Sequence, residues 1–156
     1  MNDSFNKSLI RGHEGLRLTV YRDTKGITTI GVGFNLRANA AVSICTMCGV
    51  DYAAICAGSP LTLPQANAIF ELQYAAVARF GRLIFPAIDT YPQNAAAVIC
   101  DMLFQLGYAG FMEFQHAIAA ARAGNWTGFA AEIKHSALAA QAPHRVENNV
   151  LLLESI

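Results

Sequence analysis

One stretch of this chain reads as β structure, and it lies between residues 16 and 34. Leu16, Leu18 and Val20 alternate with Arg17 and Thr19, the period of a half-buried strand. Asp23-Thr24-Lys25-Gly26 is turn chemistry, with Gly26 able to take a positive φ. Ile27-Thr28-Thr29-Ile30 is β-branched throughout and reads as the return strand. Gly31 and Gly33 then predict a bend or a close backbone approach. From about residue 38 onward only helices and loops are legible. A hairpin or small antiparallel sheet near the start of a mostly helical chain makes the fold class α+β.

The helices have readable ends. Ser4 is placed to cap a first helix over residues 4–12, with Phe5, Leu9 and Ile10 on one face and Gly12 and Gly15 marking its end. Residues 38–57 are rich in Ala and Cys and show no clean period. Thr62-Leu63-Pro64-Gln65 matches a capping box, opening a helix over 62–80 that stops near Gly81. Asp89 or Thr90 is expected to cap the next, Pro92 to Leu106, and further helices are predicted at 113–123, 126–139 and from Pro143 onward. The 62–80 helix is long enough to join a sheet-bearing lobe, about 13–60, to a helical lobe, about 81–156, completed by residues 4–12. At 156 residues the whole is expected to be a single domain.

Composition excludes several classes. Eleven basic and eleven acidic residues give no net charge, so nothing global points to nucleic acid. Mean hydropathy is +0.32, but the longest uncharged stretch, Tyr52 to Phe70, contains Gly58, Pro60, Pro64, Gln65 and Asn67 and does not read as a lipid-spanning helix. Residues 1–17 hold no apolar run of signal-peptide length, so synthesis in the cytoplasm without an export label is expected. Cys45 and Cys48 have CxxC spacing, with Cys56 following. Zinc needs more ligands than the neighbourhood offers, so free thiols and a local Cys45–Cys56 disulfide stand beside metal binding as alternatives. Cys100 lies in an apolar run and reads as core. His116, His135 and His144 share no ligand spacing, and no metal or cofactor is expected.

The chemistry concentrates in two acids. Glu14 falls at the end of the first helix and Asp23 at the hairpin turn, with eight residues between them. One strand can leave the helix and return, so both carboxylates can face one cleft. Glycoside hydrolysis needs one protonated carboxyl for the leaving oxygen and one carboxylate. Spacing alone does not separate such a pair from two solvated surface acids.

The full string does. Residues 13–36, HEGLRLTVYRDTKGITTIGVGFNL, resemble the phage-type lysozymes of glycoside hydrolase family 24. That family carries a Glu closing its first helix, an Asp after eight intervening residues and a Thr after five more. Glu14, Asp23 and Thr29 match all three, and EGLRL, Tyr21 and TIGVG match around them. The resemblance continues less densely through the 61–82 helix, Phe104-Gln105-Leu106-Gly107, Gly124-Asn125-Trp126, and Ser136, Gln141, Pro143 and Arg145. It implies a lysozyme-like fold and a muramidase acting on bacterial peptidoglycan. In that reading Glu14 is the general acid, and Asp23 and Thr29 hold the attacking water of an inverting reaction. Asn35, Phe104, Gln105 and Glu132 then contact substrate, and Arg145 is the positive charge supporting Glu14. Three departures stand out. Phe34 and Leu138 occupy positions where relatives carry His and Trp, and residues 45–56 follow no family pattern.

The resemblance also sets expectations for partners. The expected substrate is the peptidoglycan of the periplasm, reached by a monomer without stable membrane insertion. A phage lysis enzyme would need a holin for release. A toxin aimed at a rival cell would instead meet an immunity or inhibitor protein. A non-catalytic wall-binding protein on the same fold is the third reading.

Overall fold

The structure is a computed structural model and describes residues 1–156. Nine α-helices and a three-stranded sheet follow the expected α+β order. The first helix, α1 (Asp3–Glu14), begins one residue before the expected Ser4 cap. Asn2 caps it instead, its Oδ1 accepting from the Phe5 N–H at 3.2 Å. Gly12 does not stop α1, which runs on to Glu14. Gly15, at φ +70°, turns the chain out of the helix.

Strands β1 (Arg17–Arg22), β2 (Thr28–Gly31) and β3 (Phe34–Asn35) form an antiparallel sheet in sequence order. Tyr21 pairs with Thr29 and Arg22 with Thr28, and an irregularity separates this register from Arg17–Gly31. Leu16 precedes the sheet and is 43% exposed, so the core face is carried by later residues, Ile30, Phe34 and Leu36.

The chain divides into two compact units, one comprising 14–76 and the other 1–13 with 77–156. In the first, the sheet shares a core with two short helices, α2 (Ala41–Met47) and α3 (Tyr52–Cys56). These occupy the stretch without a readable period. Seven and five residues make one or two turns, too few for a face to repeat. Asp51 caps α3, accepting from the Ala54 N–H at 3.1 Å. The capping box at the head of α4 (Leu63–Ile84) forms as expected: Gln65 N–H donates to Thr62 Oγ1 at 3.3 Å, and Thr62 N–H to Gln65 Oε1 at 3.0 Å.

In the second unit, α4 passes Gly81 and ends at Ile84. Glycine serves packing there, since a Cβ would stand 3.2 Å from Ile88 Cδ1. Neither Asp89 nor Thr90 caps the next helix. Both fall in a 3₁₀ turn, Ile88–Thr90. Asp89 instead takes two Arg82 hydrogen bonds of 3.0 Å and lies 3.4 Å from the N-terminal amine. Helix α5 (Gln93–Met112) begins after Pro92 and outlasts the expected Leu106, bending at Gly107, φ +68°. By length and hydropathy α5 could cross a membrane, yet Ala95 to Leu103 are buried in the core of their own unit, with Asp101 among them. Helix α6 covers Gln115–Arg122. The expected 126–139 helix is two, α7 (Trp126–Lys134) and α8 (Ala137–Gln141). Helix α9 (Pro143–Glu154) closes the order.

All four cysteines are free thiols, Cys45 and Cys100 buried, Cys48 half-buried and Cys56 exposed. Burial pushes the Cys45 and Cys48 thiols up, and that of Cys100 up to about 12. Thiolate is the reactive form. Alkylation of the native protein near neutral pH should therefore modify Cys56 first, Cys48 and Cys45 more slowly, and Cys100 only on unfolding. Peptide mapping over a time course reads this order. Early labelling of Cys100 would contradict the packing of α5.

Candidate active site

Glu14 is the last residue of α1, and its side chain is set by what it meets. A Cβ on Gly33 would lie 2.5 Å from Glu14 Oε2 and 2.9 Å from Cδ. The carboxyl group therefore rests directly on the backbone of residue 33. Gly33 also stands at φ +63°, a conformation L side chains rarely adopt. Both reasons require glycine, and the β2–β3 turn becomes the wall against which the acid stands.

Asp23 heads the hairpin turn. Its Oδ1 accepts from the Lys25 and Ile27 N–H groups at 2.9 and 2.7 Å, and its own N–H donates to the Ile27 carbonyl at 3.0 Å. These bonds hold the aspartate in a closed Asx-type turn and commit one carboxylate oxygen. Thr29 lies on β2 and is 4% exposed. Its hydroxyl donates to the Ile27 carbonyl at 2.9 Å. With that proton committed, the oxygen presents its lone pairs as an acceptor.

Tyr21 connects these residues. It pairs across the sheet with Thr29, and its phenol is pushed up by burial, then by the charges of Glu14 and Asp23, against Arg17. The Arg17 guanidinium stands 4.6 Å from the ring centroid. Both acids thus lie close enough for their charge to be felt at one phenol, which places them in one neighbourhood. Tyr21 enters the sequence reading only as a motif letter. Its position opposite Thr29 in the hairpin register is the signal that could have marked it.

The other expected contacts are placed as follows. Asn35 pairs with Thr29 through β3, but its Oδ1 accepts from the Arg37 N–H at 2.7 Å and so serves its own turn. Phe104 and Gln105 are half-buried on α5, and Gln105 Oε1 is a buried acceptor without a hydrogen-bond partner. Glu132, on α7, lines a cavity of about 480 Å³ with Phe114, His116, His135 and Gln141. The structure brings Glu14, Asp23, Thr29, Tyr21 and Asn35 into one unit, whereas Phe104, Gln105, Glu132 and Arg145 belong to the other.

Arg145, expected as the positive charge supporting Glu14, has Asp101 among its partners: its guanidinium donates to that carboxylate at 2.8 and 2.9 Å. Burial works against the charge on Asp101, but hydrogen bonds from His13 and Arg145 outweigh it and hold the carboxyl down at about 2. Nothing in the local sequence singles out Asp101, a lone acid in an apolar run.

One carboxyl closing a helix and a second on a hairpin turn, with a buried hydroxyl on the return strand, are the group types that acid/base glycoside hydrolysis uses. The profile described as "Phage lysozyme" matches residues 11–142. The chain belongs to the phage lysozyme family, and its activity is that class of cell-wall glycoside hydrolysis. A "Probable T4-type lysozyme 1" of Dictyostelium discoideum is 26% identical over 159 aligned positions, covering 96% of this chain and 93% of the relative. The "Pre-baseplate central spike protein Gp5" of Enterobacteria phage T4 is 28% identical over 126 positions, covering 76% of this chain. That match spans only 22% of the spike protein's length.

Gly33→Ala should separate strain from chemistry. A positive φ costs an alanine about 1–2 kcal/mol, and the new methyl must also displace the Glu14 carboxyl. Gly124→Ala carries a similar φ of +68° with nothing within 4 Å of the added carbon. Both variants should lose several degrees of Tm, while only Gly33→Ala loses wall-lytic activity, by tenfold or more on the order of a misplaced catalytic group. Equal activity in the two would contradict the placement of Glu14.

Proposed function

We propose that the chain is a peptidoglycan muramidase that cleaves the β-1,4 bond between N-acetylmuramic acid and N-acetylglucosamine by inversion. Glu14 donates the proton that the leaving oxygen needs. Asp23 and Thr29 hold a water on the opposite face of the sugar. The observation that carries this reading is the asymmetry of the two acids. Glu14 is wedged against the Gly33 backbone at a helix end, whereas Asp23 is held in a turn by two N–H donors on one oxygen.

The hydrogen-bond directions support the water-holding role. Thr29 gives its proton to the Ile27 carbonyl and can only accept from a water. Asp23 Oδ2 can accept from the same water, since Oδ1 is taken by Lys25 and Ile27. A water that gives both hydrogens away keeps a lone pair for the anomeric carbon. Thr29 is no base itself, because its hydroxyl pKa is far too high. Its part is orientation, and Asp23 takes the proton as the new bond forms. Asn35, Phe104, Gln105 and Glu132 are the proposed contacts to the glycan and its attached groups, with Phe104 offering a ring face and Gln105 an unpaired amide oxygen.

The setting we propose is lysis of a bacterial cell wall from the periplasmic side by a monomeric enzyme that another component releases or delivers. Similarity to a segment of a phage spike protein supports a phage context.

Glu14→Gln keeps the side chain's shape and removes its transferable proton. Loss of clearing of permeabilised Gram-negative cells should be on the order of 10²–10⁴-fold or more, with Tm and sedimentation with isolated sacculi retained. Mass analysis of muropeptides released by the unmodified protein should find reducing N-acetylmuramic acid ends. Near-normal lysis by Glu14→Gln would remove the acid assignment. Sedimentation without any released muropeptide would favour a wall-binding protein.

A further inference from the structure

Three of the four cysteines fall in the short stretch from Cys45 to Cys56, and the proposed reaction uses none of them. Helices α2 and α3 gather them within the sheet-bearing unit. Cys45 is 1% exposed and shares a core with Val50 and Ile55, while Cys48 and Tyr52 pack against the same core. The backbone folds back over Cys45, whose carbonyl accepts from the Cys48 N–H at 3.1 Å and from the Val50 N–H at 2.8 Å. Cys56 is the last residue of α3 and is exposed.

Tyr52 lies between the two ends of this stretch. One turn before Cys56 on α3, its hydroxyl donates to the Leu36 carbonyl at 2.7 Å and also shares a hydrogen bond with the Cys56 side chain. That bond raises the phenol most, followed by burial and then by the charges of Cys56 and Cys45. Burial raises the Cys45 thiol most, followed by the charges of Cys48 and Cys56. Cys45, Cys56 and the phenol therefore share one neighbourhood, with one thiol in the core and the other open to solvent.

We propose that Cys45 and Cys56 form a redox latch, which closes as a disulfide in an oxidising compartment and bolts α2 to α3 beside the sheet that carries Asp23 and Thr29. Cys48 is the weaker partner for Cys45. Residues i and i+3 of a helix stand with Cβ atoms about 5–6 Å apart, against ~3.8 Å in a disulfide, so that bond would distort the end of α2 and tie one turn to itself. Cys56 ends its helix, and Gly58 just beyond it stands at φ +105° with nothing within 4 Å of an added carbon, so this end has room to adjust. The exposed Cys56 thiolate attacks the disulfide of an oxidant, either glutathione disulfide or a protein thiol oxidant. One thiol leaves and a mixed disulfide forms. Cys45 then loses its proton and attacks Cys56 Sγ, and the second thiol leaves. Two cysteine thiols are oxidised, one disulfide is reduced, and the two cysteine protons end on the departing thiols. In a reducing compartment the latch stays open. That setting rests on the proposed delivery to the periplasm, but the bond itself does not.

The test incubates the whole protein with excess glutathione disulfide, quenches in acid and maps the peptides by mass spectrometry without reduction. We expect one linked pair, Cys45 with Cys56, and free thiols at Cys48 and Cys100. Closing so short a loop should lower local opening of residues 41–57 by about thirtyfold to a hundredfold. Slower amide exchange and slower proteolysis in that stretch read the change, and dithiothreitol should reverse it. Cys56→Ser, an exposed substitution, should abolish this redox response, and Cys48→Ser should keep it. Four free thiols after oxidation, a Cys45–Cys48 link, or a glutathione adduct on Cys56 that never resolves each overturns the latch. So does a Cys56→Ser protein that still gains protection on oxidation. Wall lysis is not the readout. An unlinked protein that lyses cells overturns the latch and leaves the proposed function standing, whereas a linked protein that releases no muropeptide supports the latch and contradicts that function.

Discussion

Asp101 is a carboxylate with no exposure to solvent, and taking such a group out of water costs several kcal/mol even after relaxation. The helical unit is arranged to meet that cost. Arg145 and Asn149 reach it from α9 and His13 from α1, so three helices are tied to one side chain. Because its folded-state pKa is depressed, this group stabilises the fold fully above its ordinary value of 3.8 and loses that contribution as pH falls toward about 2. The shift corresponds to about 2 kcal/mol. Removing one partner leaves an uncompensated buried charge, at roughly 3–5 kcal/mol.

Local features were legible from the sequence because their physics is local. The hairpin follows from alternation and a turn tetrapeptide, and the head of α4 from a four-residue capping box. Failures occur where one residue type has two uses. Gly12 and Gly81 look like stops, yet the helices run through both, and Gly81 is glycine for the sake of Ile88. Ser4 and Asp89 look like caps, but Asn2 caps α1 and Asp89 serves Arg82 and the N-terminal amine. Helices α2 and α3 are too short to show a period.

The candidate site was legible as a string and not as an arrangement. Glu14, Asp23 and Thr29 stand out because a long motif surrounds them. That Gly33 is the surface on which Glu14 rests appears only in three dimensions, and so does the common neighbourhood of both acids at Tyr21. Asp101 was invisible, because its partner His13 lies 88 positions away and a single acid in an apolar run carries no pattern. For the same reason the sequence shows Arg145 as a cation without showing that Asp101 is one of its partners.

A water held by Asp23 and Thr29, with Glu14 wedged at the end of α1, is the centre of the proposed reaction. An inverting site of this kind keeps its carboxyl groups on the order of 6.5–9.5 Å apart, against ~5–5.5 Å where one of them attacks directly. The anomeric form of the first product reads the outcome without reference to any variant. Proton NMR of the new reducing end, recorded within the first turnovers and before mutarotation, should show the α-anomer from the β-linked glycan. An initial β-anomer would mean a covalent intermediate and would contradict the water-holding site.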